Sequence, residues 1–465
     1  MEQVRNTQNP LGVAPVSKLM VKFAVPSIIA MLVGALYNIV DQFFIGQRVG
    51  TLGNAATNIA FPLSTSCLAL ALLFGIGGAS CFNLALGRGE KDKAIHFVGN
   101  ALVMLAICGT SLCLITQVFL TPLLVAFGAP DDVLPYAQAY VRITSFGFPF
   151  LLLTTGGGHL MRADGSPRMT MFCNLSGAVI NTVLDAIFVL GFDWGMEGAA
   201  LATVIGQVFS GVLVIRYMCH FKTAPLQKKH FKVQMRYTGQ IMSIGMASFF
   251  NQLAIMLVQI VLNNSLKYYG ALSVYGESIP LACAGIVMKV SQLSFSIVIG
   301  IAQGTQPIES FNYGAKNYKR VREAYKMACL AGGVLSLVTF TVFQLFPRQI
   351  LGLFGDGTEE YFAFGEKYFR VFLFFTILNF LQPITSTFFT SIGKAIKGVF
   401  LSLTRQVLFL IPLVLILPRF MGIDGILYAG PISDAVAVLV AAGMVLVEFK
   451  GMRKLEKEVA GEAKE

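Results

Sequence analysis

The stretch VPSIIAMLVGALYNIVDQFFIG, Val25 to Gly46, holds one charged residue, Asp41, in 22 positions. At ~1.5 Å per residue such a helix is about 33 Å long, enough to cross the hydrocarbon of a bilayer. A carboxylate inside that layer costs at least a few kcal/mol even on lenient insertion scales, so Asp41 asks for a chemical reason.

The rest of the chain repeats the pattern. Of 465 residues, 55% are hydrophobic and 13% charged, too little polar surface for a water-soluble protein of this length. Apolar runs recur from Lys18 to Lys450 without a long polar block, and they lack the alternation of an outer-membrane barrel. The first run is too long for a signal-peptide core and is expected to stay as a span. Twelve spans are expected, over 20–45, 54–80, 95–117, 135–157, 168–191, 197–219, 238–262, 274–303, 323–346, 367–390, 397–417 and 425–448. The eight cysteines lie singly in or beside these runs and form no C-x-x-C pair, so they read as small packing residues.

Lysine and arginine orient the spans. With both termini on the cytoplasmic side, 26 of the 35 fall in loops on that side, while only Arg48, Lys267, Arg348, Lys367 and Arg419 fall opposite. The net charge of +11 therefore describes one face of a membrane protein and not a nucleic-acid surface.

The longest basic interruption, HFKTAPLQKKHFKVQMR, lies near the midpoint. Shifting one half by about 227 residues aligns LGRGEKDKA (86–94) with YGAKNYKRV (313–321) and AFGAPDD (126–132) with LFGDGTE (353–359). It also aligns YVR ending at Arg142 with YFR ending at Arg370, ADGSPR (163–168) with SIGKAI (391–396), and GMEGAA (195–200) with GIDGIL (422–427). Five matches in order mark a duplication of six helices, and an even number gives both copies one orientation. Parallel repeats with a path between them are a transporter architecture. The reading is an all-α polytopic protein of two six-helix lobes around a central cleft, with an N-terminal lobe over 1–219, a basic linker over 220–237, a C-terminal lobe over 238–449 and a cytoplasmic tail over 450–465.

Three further stretches complete a pattern with the first: GRGEKDKA after the second span, MRADGSPR after the fourth and GMEGAALAT opening the sixth. On these the chain resembles the multidrug and toxic compound extrusion (MATE) family over nearly its whole length, closest to the DinF-like branch and its bacterial drug exporters. The resemblance implies a V-shaped cleft that opens alternately to each side, driven by inward movement of protons or sodium. It also implies export of small organic, mostly cationic, molecules from the bacterial inner membrane by a monomer, with no cofactor beyond the coupling H+ or Na+.

Depth along the spans indicates where the ion sits. Asp41 lies about one turn below the outer surface, Asp185 one to two turns deep, and Asn181 shares its face at i−4. Thr203 reaches a similar depth on the sixth span. Two carboxylates converging in low dielectric do not both stay ionised without a proton or cation between them, and the amide and hydroxyl oxygens suit either. The resemblance places the family's proposed cation site on these same four residues. A plainer reading stays open for each alone: Asp41 snorkelling outward, Asp185 ending its helix, Asn181 and Thr203 serving as packing glue.

Pro26 is expected to kink the first span, and the resemblance implies a bend there that follows protonation. Tyr37, Asn38, Gln207 and Glu277 are candidate substrate contacts. Another branch of the family places carboxylates in the seventh and tenth spans, but 238–262 and 367–390 contain none, so coupling is expected to rest on the first lobe. No soluble stretch could hold an ATPase. SIGKAIKG lacks the Ser or Thr and the upstream glycine of a phosphate loop. The four histidines form no metalloprotease motif, so the chain is not expected to be an enzyme. A flippase for lipid-linked or other amphipathic anionic substrates is the alternative, and it would require arginines lining the cleft.

Overall fold

Each expected span forms a helix in the computed structural model, which describes residues 9–276, 278–354 and 358–462. In chain order they are α1 Val16–Arg48, α2 Thr51–Gly87, α3 Lys91–Val118, α4a Leu134–Thr144 with α4b Phe148–Ala163, α5 Pro167–Asp185 and α6 Gly195–Cys219. The second half runs α7 Met235–Ala271, α8 Ser278–Gly314, α9 Tyr318–Leu345, α10a Glu359–Phe372 with α10b Leu381–Ser391, α11a Ala395–Leu403 with α11b Ile411–Ile416, and α12 Ile423–Glu462. Among the described residues there is no strand. Ten of the twelve are long and apolar enough without a break to cross a membrane. The fourth and tenth miss that test because each is broken, by 3-10 turns at Ser145–Gly147 and Phe374–Ile377.

The breaks themselves are duplicated. Gln117 Nε2 donates to the Arg142 carbonyl at 2.6 Å, and Gln344 Nε2 donates to the Arg370 carbonyl at 3.1 Å. In each half a glutamine at the end of one helix thus satisfies a carbonyl that the break leaves short of a helical partner. The loops repeat as well, since left-handed backbone recurs in register at Gly50 and Gly276, Gly89 and Lys316, Gly165 and Gly393, and Gly195 and Gly422.

The lobes meet where the basic loops lie. Glycines there bring backbones into contact, which is how membrane helices gain packing without a hydrophobic drive. A Cβ added at Gly304 of α8 would sit 2.5 Å from the Ala24 Cα of α1, and one at Gly300 would sit 2.6 Å from the Ile28 Cα. Polar bonds cross the same seam. Arg162 Nη2 donates to Gln303 Oε1 at 3.1 Å, Gln306 Nε2 to Ser80 Oγ at 2.7 Å, Asn312 Nδ2 to the Leu11 carbonyl at 2.9 Å, and Arg320 Nη2 to the Ala14 carbonyl at 2.6 Å. Among the described residues, every side-chain hydrogen bond between the lobes lies in this basic half, so the lobes are held together there.

Arg162 corrects its expected place in a loop. Its guanidinium is buried in the seam and also bonds His159 Nδ1 at 2.8 Å. The linker is pinned by Asp164, which accepts from the Lys222 and Thr223 amides at 2.8 and 3.0 Å and from the Tyr217 hydroxyl at 2.7 Å.

Gly304→Leu is expected to wedge α8 from α1 and favour opening at the basic end. Hydrogen exchange over 298–312 would then rise several-fold, and unchanged exchange would show that this contact does not hold the seam.

Candidate functional site

The carboxyl groups of Asp41 on α1 and Asp185 on α5 lie against one another, close enough to share a proton. Close packing of α5 on α6 brings Thr203 to the same place. Gly206 of α6 packs on Gly177 of α5, where an added Cβ would lie 2.7 Å from the Gly177 carbonyl oxygen and 3.1 Å from the Asn181 Cβ. Ser210 Oγ ties the same pair of helices by donating to the Cys173 carbonyl at 2.8 Å. Immediately after Asp185, residues Ala186–Gly191 wind as a π-helical turn, a wider winding often found at functional positions.

The four expected ion-site residues converge. Asn181 Nδ2 donates to Thr203 Oγ1 at 3.2 Å, and the Tyr37 hydroxyl reaches the same oxygen at 3.5 Å. Asp41 is 8% exposed, which rules out snorkelling, and Asp185, the last residue of α5, is 0% exposed. Four oxygens in this cluster are buried without a protein donor: Asp41 Oδ1, Asn181 Oδ1 and both carboxylate oxygens of Asp185. Burying so many acceptors unpaired would cost several kcal/mol unless something beyond the protein's own donors pairs them. A proton on one carboxyl, or a cation that accepts hard oxygen ligands, meets that demand.

Tyr140 on α4a joins the cluster, with its hydroxyl facing Asp41, Asp185 and Thr203. Sequence reading missed it because a tyrosine in an apolar span carries no charge to flag it. Asn38 is exposed on α1 and donates to the Gly34 carbonyl at 2.9 Å. Gln207 packs against Gly147, where α4 breaks, and its Oε1 is buried without a donor. Glu277 lies outside the described residues.

In the second lobe the corresponding demand is already met. Asp434 on α12 is 2% exposed and receives a hydrogen bond from Arg405, which sits in a π-helical turn, Thr404–Leu410, of the eleventh span. The chain supplies that carboxylate with its own cation. Sequence reading also missed Glu309 of α8, which is buried near the seam among Ser391, Tyr325 and Cys329.

Asp92, His96 and His230 lie close together at the basic end with metal-ligand composition. Their hydrogen bonds are those of a clasp instead. The Asp92 carbonyl can only accept, so His96 Nδ1 donates to it at 2.8 Å. The Gln227 amide can only donate, so His230 Nδ1 accepts from it at 2.9 Å, and Nε2 carries the proton toward Asp92. Burial holds the His230 imidazole below its usual range and so favours this neutral form. Lys229 Nζ also reaches Asp92, at 2.9 Å.

Thr203→Val would remove the hydroxyl that orients Asn181 and Tyr37 while keeping the side-chain shape. Gradient-driven efflux is expected to fall about ten-fold, consistent with the ~1–1.5 kcal/mol of one buried hydrogen bond, with little change in melting temperature. A wild-type rate would remove Thr203 from the site.

Comparison with known proteins matches this architecture. The sequence model of the MatE family covers residues 26–187 and again 247–416, once in each lobe. The "Multidrug export protein MepA" of Staphylococcus aureus (strain NCTC 8325 / PS 47) is 24% identical over 430 residues, which is 92% of this chain and 93% of that protein. The fold is that of "Crystal structure of MATE in complex with MaL6", with a TM-score of 0.89 at 22% identity over 96% of this chain and 99% of the other. A structure described as the "Outward-facing conformation of a multidrug resistance MATE family transporter of the MOP superfamily" aligns with a TM-score of 0.88 at 22% identity, over 95% and 98% of the two chains. A match that falls separately on each of the duplicated six-helix lobes leaves one assignment: the chain belongs to the MatE family.

Proposed function

We propose that this protein is a secondary multidrug efflux transporter that exports organic, mostly cationic, compounds by antiport with protons or sodium through alternating access. The observation that carries the coupling is the cluster of four buried acceptor oxygens on Asp41, Asn181 and Asp185, for which the protein supplies no donor. Thr203 fixes the Asn181 amide, and Tyr37 and Tyr140 close the cluster from α1 and α4a. In the second lobe Asp434 makes no such demand, because Arg405 occupies it.

α1 provides the mechanical link. Its first half packs on α8 across the seam, through Ala24 and Ile28, while Asp41 lies in the first lobe. Pro26 stands within that contact, between Ala24 and Ile28, where it removes one helical hydrogen bond and lowers the cost of bending. Occupation of the Asp41–Asp185 pair neutralises the first lobe and changes how α1 seats on α8. That shift weakens the closed seam and lets the cleft reopen at the basic end. Substrate enters a cleft where Tyr37, Asn38 and Gln207 of the first lobe, with Glu277 of the second, supply polar contacts.

We further assign the lobes to 1–219 and 238–449, joined by the linker over 220–237. The basic end and both termini are assigned to the cytoplasm of a bacterial inner membrane, and the working unit to the monomer. A lipid-linked anionic substrate fits less well. Arg162 is committed to His159 and Gln303, and Arg405 to Asp434. Arg142 and Arg370 are exposed.

The test is ethidium efflux from proteoliposomes of the purified protein under an imposed pH or sodium gradient. Transport under one gradient alone identifies the ion. Failure under both would overturn the antiport reading.

A further inference from the structure

We propose that the basic end of the second lobe carries a specific site for the phosphate of an anionic phospholipid, between α9 and α12. The site is a cavity of about 320 Å³ lined by Lys319, Arg322, Glu323 and Lys326 of α9 and Arg453 of α12. Arg322 is the built part of it. Its side chain is 15% exposed, Nη2 donates to Glu456 Oε2 at 2.6 Å, and Nη1 is buried with no protein partner. A guanidinium presents a planar fork suited to two oxygens, and here one prong is taken by a carboxylate while the other has no protein partner. Four cations against Glu323 and Glu456 leave the neighbourhood net positive.

What lies beneath the cavity selects a lipid over a free anion. Lys319, Glu323 and Lys326 share a helix face with Leu330, Val334 and Leu337, following the three- and four-residue spacing of neighbours on one stripe. Those three apolar side chains are 70%, 59% and 52% exposed, as lipid-facing residues are. On α12, Arg453 continues the line of Leu439 and Leu446 at intervals of seven, and these are 72% and 63% exposed. Two apolar stripes therefore run up to one cationic cavity at the level where α9 leaves the apolar layer. A diacyl lipid satisfies both parts, with chains along the stripes and the phosphodiester against Arg322. A lipid held there bridges α9 and α12 and braces the second lobe while the first moves against it.

The experiment uses the purified full-length protein in a neutral detergent and counts retained lipid by native mass spectrometry while titrating dioleoylphosphatidylglycerol. Basic residues near an anionic lipid surface contribute ~1 kcal/mol each, so replacing Lys319, Lys326 and Arg453 by Gln is expected to weaken retention on the order of a hundred-fold. These three side chains are exposed, so the melting temperature without lipid should not move. Replacing Lys91, Lys228 and Lys232 by Gln removes the same charge elsewhere and should leave retention intact. Glu323→Gln should tighten it several-fold. Equal loss in both triple variants, equal retention of dioleoylphosphatidylcholine, or no gain from Glu323→Gln would overturn the site. Displacement of the lipid by millimolar inorganic phosphate would overturn the lipid assignment in favour of a free anion.

Discussion

Asp41→Asn and Asp185→Asn, each alone, are expected to lower gradient-driven efflux at least a hundred-fold while leaving the fold intact or slightly more stable. Asparagine keeps the shape of a protonated carboxyl and supplies the amide hydrogens that the cluster lacks. Asp185 has two buried oxygens without donors and Asp41 has one, so a neutral amide relieves an unfavourable burial. The loss then falls on function alone, because a site that is permanently neutral cannot alternate between charged and discharged. The measurement pairs melting temperature with ethidium efflux in proteoliposomes at matched reconstitution. An unchanged rate for either variant would remove that residue from coupling. A collapsed melting temperature would recast the pair as structural. The double variant should be no worse than either single one, since the two carboxyls act as one unit.

The second large effect is expected in the other lobe, with the opposite signature. Arg405→Met leaves Asp434 buried without its counter-charge, and Asp434→Leu does the same to Arg405. Breaking a buried ion pair from one side typically costs about 3–5 kcal/mol, because the remaining charge is stranded. Each single variant should therefore melt well below the wild type and express poorly. Replacing both residues with apolar ones removes both desolvation penalties and is expected to recover most of the loss. Detergent melting curves of the two single variants and the double variant check this directly. Single variants that melt like the wild type would show that Asp434 is not held as an internal ion pair. A double variant that keeps ion-driven efflux would agree with coupling confined to the first lobe.

The two acidic sites differ in what the chain provides. In the first lobe the neighbours of the carboxylates are Asn181, Thr203, Tyr37 and Tyr140, none of which brings a positive charge. In the second lobe the neighbour is a guanidinium on a π-helical turn. One carboxylate pair must take its positive charge from outside, while the other carries it permanently.

Twelve spans and the duplication were legible in the residues, because an apolar run of about 20 residues has one solution in lipid. The convergence of Asp41, Asn181, Asp185 and Thr203 was legible as well, since a carboxylate in such a run stands out and helical rise gives its depth. Three features stayed hidden. Tyr140 carries no anomaly in an apolar stretch, and its importance comes from the spans it meets. Arg162 reads as a loop residue beside MRADGSPR, and only the approach of α8 makes it a buried seam residue. The partner of Asp434 lies 29 positions away on another helix, and helix packing, not local pattern, chooses it. Local chemistry determined which groups are costly in lipid. The tertiary structure alone decided which of those costs the protein cancels internally and which it leaves for an ion, because charge compensation depends on distances between helices that no single span encodes.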